Sequence, residues 1–312
     1  MTNDNQKCNL CGGEKLNAFV TTFDRYHPQR QSFQLRQCQQ CGLVVLHPLP
    51  QEKELQASYP QRFLNPFLYF QPVKKDYLFR IYRFFHPYSV GWRLKQVEKE
   101  IDMGRLLDVG CGNGDFLYET RQRLWEVIGV EAHSPQAQFA RSTLGLKVFK
   151  TMNDLLPAYH QHFDVITFWH SLGHFLDLRP TLQQAHQLLH PRGVMLLALP
   201  NYASLDFWVY QRFWAALDCP RRLYHFAPKQ VRQLLHQNGW QLVRTKVIPF
   251  DIYYNCLLSE KILMESQGEK ISWRFCHYLR SLLVAMNAHI LSIAGTGSGM
   301  LYVARQRESS AE

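Results

Sequence analysis

What the chain lacks narrows its class first. No stretch reaches the ~18 to 20 consecutive apolar residues of a membrane-spanning helix, and the longest greasy run, 282–295, is shorter and carries Asn287 and His289. The first seven residues, Met-Thr-Asn-Asp-Asn-Gln-Lys, contain no apolar signal core, which argues against secretion and for a cytoplasmic chain. The phosphate-cradling pattern G-x-x-x-x-G-K-[ST] is absent, as are internal repeats and low-complexity tracts, so a P-loop protein and a repeat array are both excluded. Charged residues are few, 19% against 46% hydrophobic. That balance excludes wholesale disorder and allows a sizeable core.

What is present is a chain of 312 residues, enough for about two domains at roughly 150 residues each. Its net charge is +10. An excess of that sign suits nucleic acid, an anionic membrane surface or a phosphorylated substrate, and composition does not choose among them.

Eight cysteines divide the chain. Cys8-x2-Cys11 and Cys38-x2-Cys41 are each followed by glycine, Gly12 and Gly42. A two-residue gap lets both thiolates of a knuckle face one metal, and the glycine relieves the tight turn. Two knuckles supply the four soft ligands of a tetrahedral, structural zinc. Two disulfides or four unrelated thiols are the alternatives, and without a secretion signal disulfides are disfavoured. The apolar runs at 16–23 and 33–35 fit a hairpin joining the knuckles, so residues 1–50 are expected to be a zinc-binding ribbon. The remaining cysteines read as small hydrophobes, with Cys219 the one to watch for reactivity.

Residues 51–102 form a connector rich in proline and in aromatic and basic residues, among them Phe63, Phe67, Tyr69, Phe70, Lys74, Lys75 and Tyr77. Residues 74–85 can form a helix with one aromatic and one basic face, either a packed connector or a binding surface. Arg93 to Glu100 reads as a charged helix.

At 105–109 a short apolar run carries Asp108, and Gly110-Cys111-Gly112-Asn113-Gly114 follows. A helical pattern begins at Asp115, and 127–131 is a second strand ending in Glu131. Glycines in a strand-to-helix loop let the backbone lie against a ligand, where the helix start offers free N–H groups. An acid at the end of the second strand is placed to accept hydrogen bonds from ribose hydroxyls. The spacing G-x-G-x-G is not the dinucleotide pattern G-x-G-x-x-G.

The run from Leu107 to Gly114 closely resembles motif I of class I S-adenosylmethionine-dependent methyltransferases. The resemblance implies that Asp108, Gly110, Cys111, Gly112 and Gly114 line S-adenosyl-L-methionine and that Glu131 holds its ribose. It extends over about residues 8–306, to a bacterial group that joins a zinc-binding lobe to this domain, on Cys41-Gly42-Leu43-Val44, Phe163-Asp164-Val165-Ile166 and Arg222-Leu223-Tyr224-His225-Phe226-Ala227-Pro228. Where that group has Glu-His after the fourth strand, this chain has Gly173-His174. The zinc-containing sugar C-methyltransferases carry an extra C-terminal domain for which this chain leaves no room.

The remaining text keeps the same alternation. A helix starts at Ser134, with Ser as N-cap, and stops at Gly145. Strands are expected at 147–149, 163–168, 194–199, 240–248 and 300–304, and helices at 181–190 and 228–238. The fold class is therefore α/β, a Rossmann-like seven-stranded methyltransferase sheet over 103–308 with a small zinc-ribbon lobe. Its lid insertion spans 201–226 and its helical insertion 251–296. The latter is either a helical pair over the substrate pocket or an interfacial helix on anionic lipid.

Methyl transfer needs an aligned nucleophile and a place for its proton. Trp169 and His170 close the fourth strand, at the carboxyl edge where open α/β sheets bind ligands, and are expected to touch the cofactor by backbone. His174 and, in the lid, His225 are the candidate bases or substrate ligands. The expected reaction is methylation of oxygen or carbon on a small-molecule acceptor, a lipid, quinone-like compound or saccharide. Two other readings stay open: an RNA methyltransferase, disfavoured because no Asn/Asp-Pro-Pro-aromatic run follows the fourth strand, and a non-catalytic cofactor-binding scaffold.

Overall fold

The computed structural model describes residues 7–27, 29–59, 77–267, 274–292 and 297–307. The aromatic and basic connector residues over 60–76 lie outside these, as do 268–273 and 293–296 of the expected helical insertion.

In chain order, strands β1 (Leu16–Phe23), β2 (Ser32–Cys38) and β3 (Val44–His47) precede helices α1 (Glu52–Ala57) and α2 (Tyr77–Glu98). Then come β4 (Arg105–Val109), α3 (Asp115–Arg121), β5 (Glu126–Val130), α4 (Ser134–Ser142), β6 (Val148–Phe149), β7 (Phe163–Trp169) and α5 (Leu178–Leu188). The chain continues through β8 (Leu189–Pro200), α6 (Leu205–Tyr210), β9 (Tyr224–His225) and α7 (Pro228–Gln237). It finishes with β10 (Trp240–Val247), α8 (Asp251–Gln267), α9 (Arg274–Ser292) and β11 (Gly299–Gln306).

Two compact units emerge. One gathers Met1–Pro60, Leu199–Gln233 and Lys246–Leu301. The other gathers Gln61–Ala198, Leu234–Thr245 and Tyr302–Glu312. The segment expected as a zinc ribbon thus shares its unit with the segment expected as a lid.

The seven-stranded sheet runs β10-β11-β8-β7-β4-β5-β6. β4 pairs in parallel with β5 and β7, β5 with β6, and β7 with β8. Strands covered on both faces read as continuous apolar runs, and Val194, Met195, Leu196, Leu197 and Ala198 are all fully buried. The turn expected at Pro191–Gly193 lies within β8 as an irregularity, where the register jumps from Phe163↔Leu189 to Val165↔Val194. Helix α5 buries Leu178, Leu182, Ala185 and Leu188 at helical spacing against this core. Helix α2 merges the two helices expected in the connector and continues through Pro87. Helix α4 is capped one residue earlier than expected: His133 is the N-cap, and Ser134 and Pro135 form its first turn. Proline at that turn loses no hydrogen bond, because the first N–H groups of a helix have no partner inside it.

The other unit is built on a four-stranded sheet, β1-β2-β3-β9. β1 and β2 form the expected hairpin, β3 adds antiparallel to β2, and β9 adds to β3 through Val44↔His225 and Val45↔Tyr224. Phe23 packs with Ala215 and Ile262. Phe19 stacks on Phe207 with ring centroids 5.6 Å apart. Among the described residues, no helix is long and apolar enough to cross a membrane.

Candidate functional site

The four N-terminal cysteines converge. Both knuckles repeat one backbone pattern: Gly12 N–H donates to the Cys8 carbonyl at 2.8 Å, and Gly42 N–H to that of Cys38 at 2.9 Å. Gly12 and Gly42 take φ of +73° and +82°, a conformation that costs glycine little. The Sγ atoms of Cys8, Cys11, Cys38 and Cys41 all lie within 4.8 Å of one another. The pairs Cys8–Cys41 and Cys11–Cys38 stand 3.5 Å apart. That is far beyond a disulfide bond of about 2.05 Å. It is close to the ~3.8 Å edge of a tetrahedron with metal–sulfur bonds of about 2.3 Å. Burial pushes the Cys8 thiol up to about 11, so holding it as a thiolate takes a cation, and the donor set fits a soft divalent metal.

The distant segment secures this cluster. Gln230 Nε2 donates to the Cys41 carbonyl at 2.6 Å, and the Tyr202 hydroxyl donates to that of Gly42 at 2.7 Å. Neither contact has a local sequence signal. The side chains come from residues 160 to 190 positions away.

In the other unit, the glycine-rich loop joins β4 to α3. Asp108 is buried and accepts a hydrogen bond from Thr167 Oγ1 at 2.7 Å. Burial pushes its carboxyl up to about 7, against the pull of Thr167 and Arg93. Gly110, Gly112 and Gly114 have φ of +77°, +57° and +84°. A Cβ on Gly110 would come 2.4 Å from Ser171 Cβ, whereas a Cβ on Gly112 would meet no protein atom within 4 Å. The loop therefore packs on one side and leaves open space beside Gly112. Glu131 Oε2 accepts from Gly112 N–H and Oε1 from His133 N–H, both at 2.8 Å. Each carboxylate oxygen keeps a further lone pair for a hydroxyl donor. The Cys111 side chain turns inward: a Cβ on Gly129 would lie 2.6 Å from its Sγ, and burial raises its thiol well above the usual range. Its contribution to the loop is backbone.

At the end of β7, Trp169 stacks edge-on to Phe116, and its buried Nε1 meets no acceptor among the described residues. His170 adopts φ of +61°, and its N–H donates to the Ala198 carbonyl at 3.0 Å. Ser171 Oγ donates to the Val109 carbonyl, which ties this turn to the glycine loop. His174 ends a short 3-10 turn, Leu172–His174, in the same unit. His225 is buried on β9 and belongs to the cysteine-bearing unit. One residue escaped the sequence reading. Arg93 of α2 lies 5.5 Å over the Trp169 ring and pulls down the pKa values of Asp108 and Asp115. The sequence places it only in a charged helix. Cys219 is buried, and burial pushes its thiol far above the usual range, so it packs as a small hydrophobe.

The model of a methyltransferase domain family matches residues 79–245, more than half of the chain. The protein belongs to this methyltransferase family. The O-methyltransferase cnsE of Penicillium expansum is 28% identical over 197 residues, covering 58% of this chain and 66% of that protein. The ubiquinone biosynthesis O-methyltransferase of Cereibacter sphaeroides (strain ATCC 17029 / ATH 2.4.9) is 35% identical over 109 residues, 33% of this chain and 44% of that protein. The matches cover less than two thirds of either relative's length. Among solved structures, mycolic acid cyclopropane synthase CmaA1, complexed with SAH and CTAB, matches with a TM-score of 0.50 at 17% identity. It covers 82% of this chain and 97% of that one, a likeness of fold. The family match spans the whole stretch from α2 to β10, so Arg93, the glycine loop, Glu131 and the β7 turn all belong to the methyltransferase domain.

Proposed function

We propose that this protein transfers the methyl group of S-adenosyl-L-methionine to oxygen or carbon of a small-molecule acceptor. The observation that carries the reading is the loop Asp108–Gly114 with Glu131 beside it, inside a methyltransferase domain. The open space at Gly112, the second lone pairs of the Glu131 oxygens and the orphaned Trp169 Nε1 fit a ligand that brings hydroxyl and polar groups. When bound, S-adenosylmethionine supplies an electrophilic methyl on a sulfonium. Glu131 then accepts from ribose hydroxyls, the loop glycines lie against the methionine end, and Trp169 and His170 line the cofactor from the strand end.

Methylation of a hydroxyl would form a carbon–oxygen bond as the methyl carbon–sulfur bond of the sulfonium breaks, with the thioether as leaving group, and would free one proton from the acceptor. His174 or His225 takes that proton or holds the acceptor in line. Relatives named for ubiquinone and demethylmenaquinone methylation support a quinone-like or lipid acceptor. A greasy acceptor also agrees with the surface of α9, where Leu279, Leu282, Leu283, Met286 and Ile290 recur at helical spacing and all stay exposed. An apolar helical face of this kind suits a peripheral contact with a membrane surface. Zinc held by Cys8, Cys11, Cys38 and Cys41 has a structural role, since four cysteines leave no open coordination position.

The test is incubation of the zinc-loaded protein with methyl-labelled S-adenosylmethionine and fractionated cell extract. Label is expected in a lipid or other small-molecule fraction, and to drop at least about a hundredfold in rate in His174→Ala or His225→Ala, the size general-base help usually has. Label confined to RNA, or full rate in both variants, contradicts the reading.

A further inference from the structure

Three arginines crowd the cysteine-bearing unit, and they are not equally satisfied. Arg221 is fully committed: Nη2 and Nη1 meet the two oxygens of Asp24 at 2.9 and 3.2 Å, and Nε meets Asp218 at 3.1 Å. Arg25 pairs with Asp218 at 3.2 Å and donates to the Ala215 carbonyl, but its buried Nε meets no acceptor among the described residues. Arg222 is only 7% exposed, and its Nε and Nη1 are buried and meet no acceptor among the described residues. Asp218, and less strongly Tyr59 and Cys219, favour the Arg222 charge through space, and Arg25 repels it. Its backbone N–H is pinned to the Asp218 carbonyl at 3.0 Å, in the turn that begins at Asp218.

Two carboxylates, Asp24 and Asp218, thus serve three guanidiniums. An arginine cannot shed its charge by losing a proton. Leaving guanidinium N–H groups buried and unbonded carries a desolvation cost with no return. Apolar surroundings would hold a leucine there at no such cost. What the arrangement does provide is a desolvated guanidinium with two unbonded donor atoms, held near a second arginine with a surplus positive charge, which suits charge-assisted hydrogen bonds to an oxyanion.

We propose that Arg222, with Arg25 beside it, is the seat of an oxyanion, a phosphate or carboxylate group of a small-molecule ligand. If that group is part of the methyl acceptor, the inference rests on the function proposed above and adds that the acceptor is acidic. If it is a separate anion, the seat stands without that reading.

Thermal unfolding of the full-length, zinc-loaded protein, titrated with inorganic phosphate against chloride at matched ionic strength, tests the proposal. The wild type should show a saturable rise in melting temperature. Arg222→Met, which keeps the length and removes the charge, should bind phosphate about ten- to a hundredfold more weakly, the worth of one or two charge-assisted hydrogen bonds. Without phosphate its melting temperature should equal or exceed that of the wild type, because an unpaired buried charge is gone. Should that variant fail to fold, Arg222→Gln serves in its place with the same expectation. No rise beyond the chloride control, or an equal rise in the neutral variant, overturns the proposal. In turnover assays, phosphate that competes with the acceptor marks the seat as the acceptor's, and phosphate that binds without competing marks a separate ligand. Calorimetry with S-adenosylmethionine on the same samples keeps a failure of the seat distinct from a failure of the methyl-transfer reading.

Discussion

The two units are stabilised by different means. The unit bearing the glycine loop rests on parallel-paired strands, of which β8 is apolar and fully buried over Val194–Ala198, and its buried acid Asp108 stands on β4 just before the loop. The unit bearing the cysteines has a sheet of four strands, one of them two residues long. It compensates with polar fastenings: the sulfur cluster, the Arg221–Asp24 pair, and Glu260, fully buried, receiving Tyr210 at 2.9 Å and Arg280 at 3.0 Å. Hydrophobic burial is spread over many contacts and degrades gradually, whereas a buried charge whose partner is removed fails at once. Single polar substitutions should therefore hurt the stretches around the cysteines far more than the methyltransferase sheet.

The sharpest way to break that contrast is to remove the zinc proposed at the four cysteines. Chelation, or Cys41→Ser, should cost the cysteine-bearing sheet up to about 10 kcal/mol, the range of structural zinc sites. Zinc analysis with amide exchange over β1 to β3 would read the loss, and the amides of β4 to β8 should stay protected. Equal loss of protection in both sets would remove the contrast. Next in size is Arg221→Ala, expected to cost about 3 to 5 kcal/mol because it strands Asp24 in the interior. Arg105→Ala, which breaks the partly exposed 2.9 Å pair with Asp164, should cost no more than about 1 kcal/mol. Denaturant titration of the two variants gives the ratio.

A smaller effect belongs to Asp108. Its folded pKa, about 7, stands above the ordinary value of 3.8. The folded chain therefore favours the protonated acid, and stability from this group is present below about pH 4 and is lost as pH rises through 7. A cationic cofactor favours the ionised form, so its affinity should rise between about pH 6 and about pH 8 and the rise should flatten in Asp108→Asn. A calorimetric pH series checks this. Least of all, Leu282→Ser with Ile290→Ser should move stability by no more than about 0.5 kcal/mol, since both residues are exposed. Cosedimentation with anionic vesicles should nevertheless fall, and unchanged sedimentation would remove the membrane contact.

Legibility in the sequence followed the same division. From Asp108 to Glu131 every informative residue lies within one strand-loop-helix-strand unit, so periodicity and glycine positions give the unit, and its resemblance to methyltransferase motif I implies the ligand. The cysteine knuckles were legible for the same reason, each being a four-residue pattern. The contacts of β9 with β3, of Gln230 with Cys41 and of Arg221 with Asp24 were not. Each joins residues more than 170 positions apart, and a two-residue strand carries no alternation to detect. Arg93 was missed because on a helix rich in charges nothing in the sequence tells a solvated arginine from one turned toward Trp169. The N-cap at His133 shows the limit of local rules: Ser134-Pro135 is a strong start signal, but it fixes the helix start only to within a residue.

The central claim is that the glycine loop holds S-adenosylmethionine, and Gly112→Ala tests it most directly. A methyl group there enters space that no protein atom occupies, so the fold should lose only the roughly 1 kcal/mol that a positive φ costs alanine. Titrating S-adenosylmethionine into the zinc-loaded wild type should give one site per chain, and the same titration of Gly112→Ala should give affinity lower by at least about tenfold. No binding by the wild type, or equal binding by the folded variant, would contradict the account.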